Sequence, residues 1–315
     1  MSKDRAKLDQ AARAAWLSWV GGLTQDEIAA RMGISRQTAQ RLTAQAMAAG
    51  IVKVRIEHPL AEALELAAEL QNRFGLRYAE VTPADAGAAG VAMQVAELLE
   101  SQLCRAEPVV VALGTGRTLR ASVAQMESID CPQHCIVSLT GNIAPDGSTS
   151  YYNVLFSLSE KVTAHCYPLM LPVIAATPEE CDALRRQPGN ARVLDMAANA
   201  DIAIIGIGDL GPNAPLQADG FLTRKEIEAL NARGAVAEVI GIAFDAEGRF
   251  LSRDGRVASA DLPDTDRALV VAAAHGPTKR AGALGALRGG FVNGLICDEG
   301  TARWLLDQPL TGEKT

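Results

Sequence analysis

The chain has 315 residues, 48% hydrophobic and 21% charged, with a formal net charge of −7, which suits a soluble globular protein of two domains with a large core. Aromatic residues make up only 4%, too few for a carbohydrate groove lined with rings. The longest apolar run, residues 268–274, is far too short to cross a bilayer, and the mixed-charge N-terminus lacks the apolar core of a signal peptide; a cytoplasmic protein with no membrane partner is expected.

In chain order, Trp16, Trp19 and Leu23 fall at helical spacing, predicting a first helix from about residue 10 that ends at Gly21-Gly22. Thr24 and Glu27 then form a T-x-x-E capping box, in which each side chain satisfies the other residue's free backbone N–H. The second helix reaches Met32, Gly33 supplies the positive φ of a tight turn, and Ser35 caps a third helix running to about Met47. Residues 51–56 (IVKVRI) alternate like a short strand or wing. Leu64, Leu66, Leu70 and Phe74 predict a linker helix that could also pack on a partner chain.

Residues 1–58 hold nine Lys/Arg against five Asp/Glu, a balance of +4 that leaves −11 for the remainder. Such asymmetry fits one segment meeting a polyanion while the other stays soluble. Ala39, Leu42 and Ala46 face inward on the third helix, and Arg36, Gln37, Gln40 and Arg41 face outward near its N-terminus. A helix-turn-helix sends that end into the DNA major groove, where Arg pairs with guanine, Gln with adenine, and Thr24, Ser35 or Thr38 reaches phosphate or base. A three-helix cap used only for packing is the alternative.

Beyond residue 80, short apolar runs each end in a Gly-bearing loop: VVVALGTG (109–116), CIVSLTGN (135–142), DIAIIGIGDLG (201–211), EVIGIAFD (238–245), ALVVAAAHG (268–276) and GLICDEG (294–300). Apolar strands alternating with helices predict a largely parallel sheet covered on both faces. The boundaries read as 1–58 for the DNA-binding domain, 59–79 for the linker helix and 80–315 for the α/β domain. The six cysteines (104, 131, 135, 166, 181, 297) form no Cys-x-x-Cys pair, and the C-x3-C of Cys131 and Cys135, with His134 inside it, has no second ligand pair. Reduced structural thiols are expected, with no metal or cofactor.

Gly114, Thr115, Gly116, Arg117 and Thr118 join a strand to a helix, whose N-terminal N–H groups and dipole suit an anion; a plain turn is the alternative. With LGTGRT, SLTGNI, DIAIIGIG, EVIGIAFDAEG and the tail HGPTKRAGALGALRGGFVNGLICDEGTARWLL, the chain resembles the SorC-type (DeoR-related) sugar-responsive bacterial transcriptional regulators over nearly its whole length. The resemblance implies an effector domain with the fold of sugar-phosphate isomerases, its ligand (a sugar phosphate, sugar or polyol) at the strand C-terminal ends. It implies Gly114, Thr115, Gly116 and Thr118 as a phosphate loop and Lys279 as the lysine near the ligand. Glu238 stands where an Asp commonly lies, and Gly141 and Asn142 form another wall. It further implies an operator in double-stranded DNA and self-association as a homodimer or homotetramer. His275 departs from the usual Gly, and Cys297 from the Thr of T-D-E. The rival reading is a sugar-phosphate isomerase or deaminase with a helical cap. Its candidate base would be Asp209, Glu238 or His275, which no sequence spacing ties together.

Overall fold

A computed structural model describes residues 3–52, 59–144, 147–148, 154–212, 214–251 and 255–309. They divide into two compact units, Met1–His58 and Pro59–Thr315.

The first unit contains α1 (Lys3–Trp19), α2 (Gln25–Met32) and α3 (Arg36–Ala48). Its core joins Ala11, Ala14, Ala15 and Leu17 of α1 to Ile28 and Ala29 of α2 and to Ala39, Leu42 and Ala46 of α3. The first helix therefore begins about seven residues earlier than expected and turns its alanines inward. Trp16 and Trp19, the residues that signalled the helix, stay 59% and 46% exposed. Periodicity identifies a helix, but it does not say which of two stripes is covered. The expected wing at 51–56 lies largely outside the described residues.

The second unit opens with α4 (Pro59–Phe74), β1 (Tyr78–Thr82), α5 (Gly87–Leu103), β2 (Val110–Leu113) and α6 (Arg117–Gln125). It continues through β3 (Cys135–Ser138), α7 (Val154–Ser159), β4 (His165–Tyr167), α8 (Pro178–Arg185), α9 (Pro188–Ala198) and β5 (Ile202–Gly206). Next come β6 (Gly208–Asp209), α10 (Pro215–Ala218), α11 (Arg224–Ala232), β7 (Ala235–Val239) and β8 (Ile242–Asp245). The last elements are β9 (Leu269–Ala274), α12 (Arg280–Arg288), β10 (Gly294–Asp298) and α13 (Glu299–Leu306).

Seven strands form one sheet in the order β1-β10-β9-β5-β2-β3-β4, with every pair parallel. Its two faces show why these strands lack polar alternation. Val270, Ala272 and Ala274 of β9 and Ala203 and Ile205 of β5 enter one core with α4, α12 and α13. The intervening Val271, Ala273, Ile202 and Ile204 enter the other with α5, α6 and α7. Both faces are covered, as apolar parallel strands require.

The helix expected as a linker is part of this second unit. Ala63, Leu66, Ala67 and Leu70 of α4 are buried in the first of those cores, and Glu62 of α4 is ion-paired with Arg303 of α13. The sheet itself starts at Tyr78, ahead of the boundary drawn at residue 80.

A second, antiparallel sheet, β6-β7-β8, stands at the C-terminal end of β5. Helix α12 lies against it through glycines: a Cβ on Gly282 would come within 2.6 Å of Ala237 Cβ, and one on Gly285 within 2.8 Å of the Asp245 carbonyl oxygen. The RAGALGALR segment thus carries small residues where a helix meets backbone. His134 is a structural residue: it is fully buried, its Nδ1 accepts from Val109 N–H and its Nε2 lies 3.1 Å from the Leu103 carbonyl.

Candidate functional site

In parallel α/β sheets the loops leaving the strand C-terminal ends converge on one crevice. Here the loops after β2, β3, β5 and β9 enclose a cavity of about 300 Å³ in the second unit. Of the eight residues expected to hold an effector, Gly114, Thr115, Gly116, Thr118, Gly141, Glu238 and Lys279 line it. Asn142 does not: it is buried, and its Nδ2 points to Met170 Sδ at 3.5 Å. Gly141 contributes close backbone packing, since a Cβ there would fall 2.5 Å from the Pro172 carbonyl oxygen.

The Gly114–Thr118 loop is shaped by its strand and its helix. Gly114 N–H donates to the Ile204 carbonyl, which keeps the loop in the plane of the sheet, and Arg120 N–H donates to Gly116 to close the first turn of α6. Gly116 has φ 129° with open space where a Cβ would stand, so glycine is required by the backbone itself. The first N–H groups of α6 have no intrahelical acceptor and face the cavity end of the helix.

Opposite this loop is a charged cluster that brings together residues far apart in sequence. Lys279 Nζ donates to Asp209 Oδ2 at 3.1 Å, with both side chains about one-fifth exposed. Glu238 leans over Gly208, where an added Cβ would lie 1.7 Å from Glu238 Oε1, and its Oε2 accepts from Gly241 N–H at 2.7 Å. Burial pushes the Glu238 carboxyl up from its ordinary value, and Asp209 adds to the rise. The Gly241 hydrogen bond and the Lys279 charge offset only part of it. His275 completes this side. Asp298, at the end of β10, fixes the turn that follows His275 by accepting from Gly276 N–H at 2.8 Å, while also capping α13 through Thr301. Burial pushes the Asp298 carboxyl up, but these donors and neighbouring His275 outweigh it and hold the group below the usual aspartate range.

Sequence reasoning missed two residues. Thr140 and Ser259 are 5% and 2% exposed, both line the cavity, and among the described residues neither hydroxyl has a hydrogen-bond partner. Ala260 N–H donates to the Leu139 carbonyl, holding the two segments side by side. A buried hydroxyl without a partner costs about 1–3 kcal/mol, so the pair suits a hydroxylated guest. A Thr and a Ser 119 positions apart carry no signal in a sequence.

In the first unit the capping box forms as expected: Thr24 N–H and Oγ1 both donate to Glu27 Oε2 at 2.8 Å, and Glu27 N–H donates to Thr24 Oγ1. Gly33 takes φ 66°, and Ser35 Oγ accepts from Thr38 N–H. Arg36, Gln37, Gln40 and Arg41 are exposed, and Thr38 is half-buried. Arg36 stands 3.7 Å from Asp26, both side chains 71% exposed, a pair too open to hold the guanidinium in place.

The second unit is an α/β domain with a cavity at its strand ends, and the first is a small helical unit with an exposed polar helix start; both features suit a ligand-responsive regulator. Comparison with known proteins names the family. The Sugar-bind family of sugar-binding domains matches residues 58–307. The erythritol catabolism regulatory protein EryD of Brucella abortus is 34% identical over 306 residues, 95% of this chain and 96% of its own. The transcriptional regulator LsrR of Klebsiella pneumoniae is 29% identical over 318 residues, covering 96% and 94%. Among solved structures, the full-length sorbitol operon regulator SorC of Klebsiella pneumoniae shares the fold at TM-score 0.68 and 23% identity, over 98% of this chain and 100% of that one.

The chain belongs to the SorC-type family of sugar-binding transcriptional regulators. It is a sugar-responsive transcriptional regulator, not an enzyme. Asp209, Glu238 and His275, the candidates for catalysis in the rival reading, do share one cavity.

Proposed function

We propose that the first unit reads an operator in double-stranded DNA through α3, and that the second unit binds an uncharged polyol or sugar. The unpartnered Thr140 and Ser259 hydroxyls carry the second half of this reading, because a guest with several hydroxyls can both donate to and accept from them. The Asp209–Lys279 pair supports it: the lysine charge is already met by a carboxylate, leaving the pair to orient hydroxyl groups. Glu238, whose carboxyl burial pushes up from its ordinary value, adds a further polar group to the cavity wall. The name of the EryD relative points to the same chemical class, a small polyol. The α6 N-terminus favours a second reading, in which a terminal phosphate sits on Gly114–Thr118 and the remaining hydroxyls meet Thr140 and Ser259.

Thermal-shift titration of free polyols and sugars beside their phosphates tests both, since a ligand of the native state alone raises the melting temperature. Stabilisation by a free form at lower concentration than by its phosphate is expected, and the reverse order selects the second reading. On the DNA side the capping hydroxyls of Thr24 and Ser35 are used within the chain, which leaves Arg36, Gln37, Gln40 and Arg41 for base and phosphate. Thr38 supports the helix start beside them. In the family reading the chain works as a dimer or tetramer, because one helix-turn-helix reads too few base pairs.

A further inference from the structure

The cavity carries a charge arrangement that its unpartnered hydroxyls do not explain. Among the described residues lining it, Arg117 and Lys279 hold fixed positive charge, and Asp209, Asp219 and Glu238 are carboxyls. Lys279 is ion-paired with Asp209. Arg117 takes the first position of α6, next to Gly116 of the loop after β2, and its charge acts on Asp219. Each cation of the wall therefore faces a carboxyl supplied by the chain, before Glu238 is counted.

Asp219 is brought there by the turn that follows α10. Its N–H donates to the Pro215 carbonyl at 2.9 Å, and Phe221 and Leu222 N–H both donate to the Leu216 carbonyl at 2.9 Å. The chain folded back in this way sets Pro215, Leu216, Asp219 and Phe221 together in the cavity wall. Burial there pushes the Asp219 carboxyl up from its ordinary value, and the Arg117 charge offsets only part of the rise.

We propose that Asp219 sets the choice of the cavity between an uncharged guest and a phosphorylated one. The proposal rests on the effector reading given above and names the residue that enforces it. The Asp219 carboxylate supplies, within the chain, the negative charge that Arg117 and the head of α6 would otherwise draw from a ligand. A terminal phosphate brings about −1.5 to −2 charges at neutral pH. Entering at Gly114–Thr118, it meets Asp219 in a wall with no surplus positive charge, and juxtaposed like charges select strongly against a partner. A terminal hydroxyl escapes this penalty, because it can donate to the carboxylate and accept from an N–H of α6.

The test uses the full-length protein and Asp219→Asn, which keeps the shape of the side chain and removes its charge. Calorimetric titrations use inorganic phosphate, and erythritol, xylitol and sorbitol, each beside its terminal monophosphate. In Asp219→Asn the affinity for the esters relative to the free polyols should rise by about tenfold or more over wild type, as one like-charge contact is removed. Inorganic phosphate should gain by a similar factor. Adding Arg117→Gln should abolish the gain, and Asp219→Ser repeats the comparison if Asn unsettles the turn. An unchanged ratio overturns the proposal, as does a gain that survives the loss of the guanidinium. Failure of the underlying reading shows separately, in the wild-type chain: preference there for the esters selects the phosphate reading, while the change in ratio still reports on Asp219. If no polyol or ester binds either protein, inorganic phosphate decides. Tighter binding by Asp219→Asn then supports the assignment, and equal or absent binding overturns it.

Discussion

Ile240 is the one non-glycine residue with positive φ among those described, at 46°. With Gly241 at φ 82° it makes the tight turn between β7 and β8, the geometry that right-twisted hairpins prefer. A β-branched residue pays about 1–2 kcal/mol in this region. Burying the side chain, only 8% exposed between the cavity and the Val239–Ile242 core, returns about 1.5–3 kcal/mol. Burial wins, so Ile240→Gly should destabilise the protein by about 1 kcal/mol, or roughly 2–4 °C in Tm at this size, despite relieving the backbone. A rise in melting temperature would show that strain dominates. Two residues earlier, Glu238 makes a pH-dependent prediction. Its folded-state pKa is raised, so the folded form favours the proton. The stability linked to it is fully present below the ordinary glutamate value and is lost as pH rises through the folded value. Glu238→Gln keeps an oxygen for the Gly241 N–H and removes that loss. The variant should therefore melt higher than wild type at neutral pH, with the gap closing toward pH 4. A gap that widens in acid would contradict the assignment.

At the scale of elements, caps and close approaches decide what each helix tolerates. Ser35 starts α3 by accepting from Thr38 N–H, and removing such a cap costs about 0.5–2 kcal/mol. Gln37 is exposed and caps nothing. Ser35→Ala should lower the stability of the first unit by about 1 kcal/mol while retaining operator preference. Gln37→Ala should leave stability unchanged and cost about 1–3 kcal/mol of discrimination between operator and random DNA. Equilibrium melting paired with competition gel shifts separates the two, and unchanged discrimination in Gln37→Ala would rule out this docking of α3. Helix α12 is constrained more tightly. Gly285→Ala would set a methyl 2.8 Å from the Asp245 carbonyl and 3.0 Å from the Phe244 ring, and overpacking of this kind costs typically about 1–3 kcal/mol. These elements also show what the sequence could reveal. The Thr24 and Ser35 caps, the loop after β2 and the two-sided strands were legible because local spacing determines them. The Asp209–Lys279 pair, 70 residues apart, was not, because only the return of β6 and the turn after β9 brings those side chains together. Nor was the covered stripe of α1, since the large Trp side chains draw the reading of the helix and only packing shows that the alanines went inside. Asn142 stood in a matching motif, yet its backbone N–H is used on the Leu171 carbonyl and its side chain turns from the cavity.

Over the whole molecule, a basic first unit and an acidic second one are joined in one chain, and regulation requires that occupancy of one site alter the other. Such coupling is a free energy of typically about 1–3 kcal/mol, which changes affinity by roughly 5–150-fold, and it is reciprocal. The effector identified by thermal shift should therefore change operator affinity by some factor, and saturating operator DNA should change effector affinity by the same factor. Gly208→Ala provides the internal control. Its methyl would occupy the place of the Glu238 carboxylate, displacing one wall of the cavity while leaving α3 untouched. This variant should bind the operator with wild-type affinity when no effector is present, and lose at least tenfold in effector affinity. Its response of DNA binding to effector should shift to correspondingly higher concentrations. Calorimetric titration of effector with and without operator, beside operator titration with and without effector, measures all four edges of the cycle. If the two factors are equal and near one, the cavity does not communicate with the DNA-reading unit. If Gly208→Ala weakens operator binding in the absence of effector, that wall of the cavity supports the DNA-binding state itself, and the regulator is poised by its empty site as well as by its filled one.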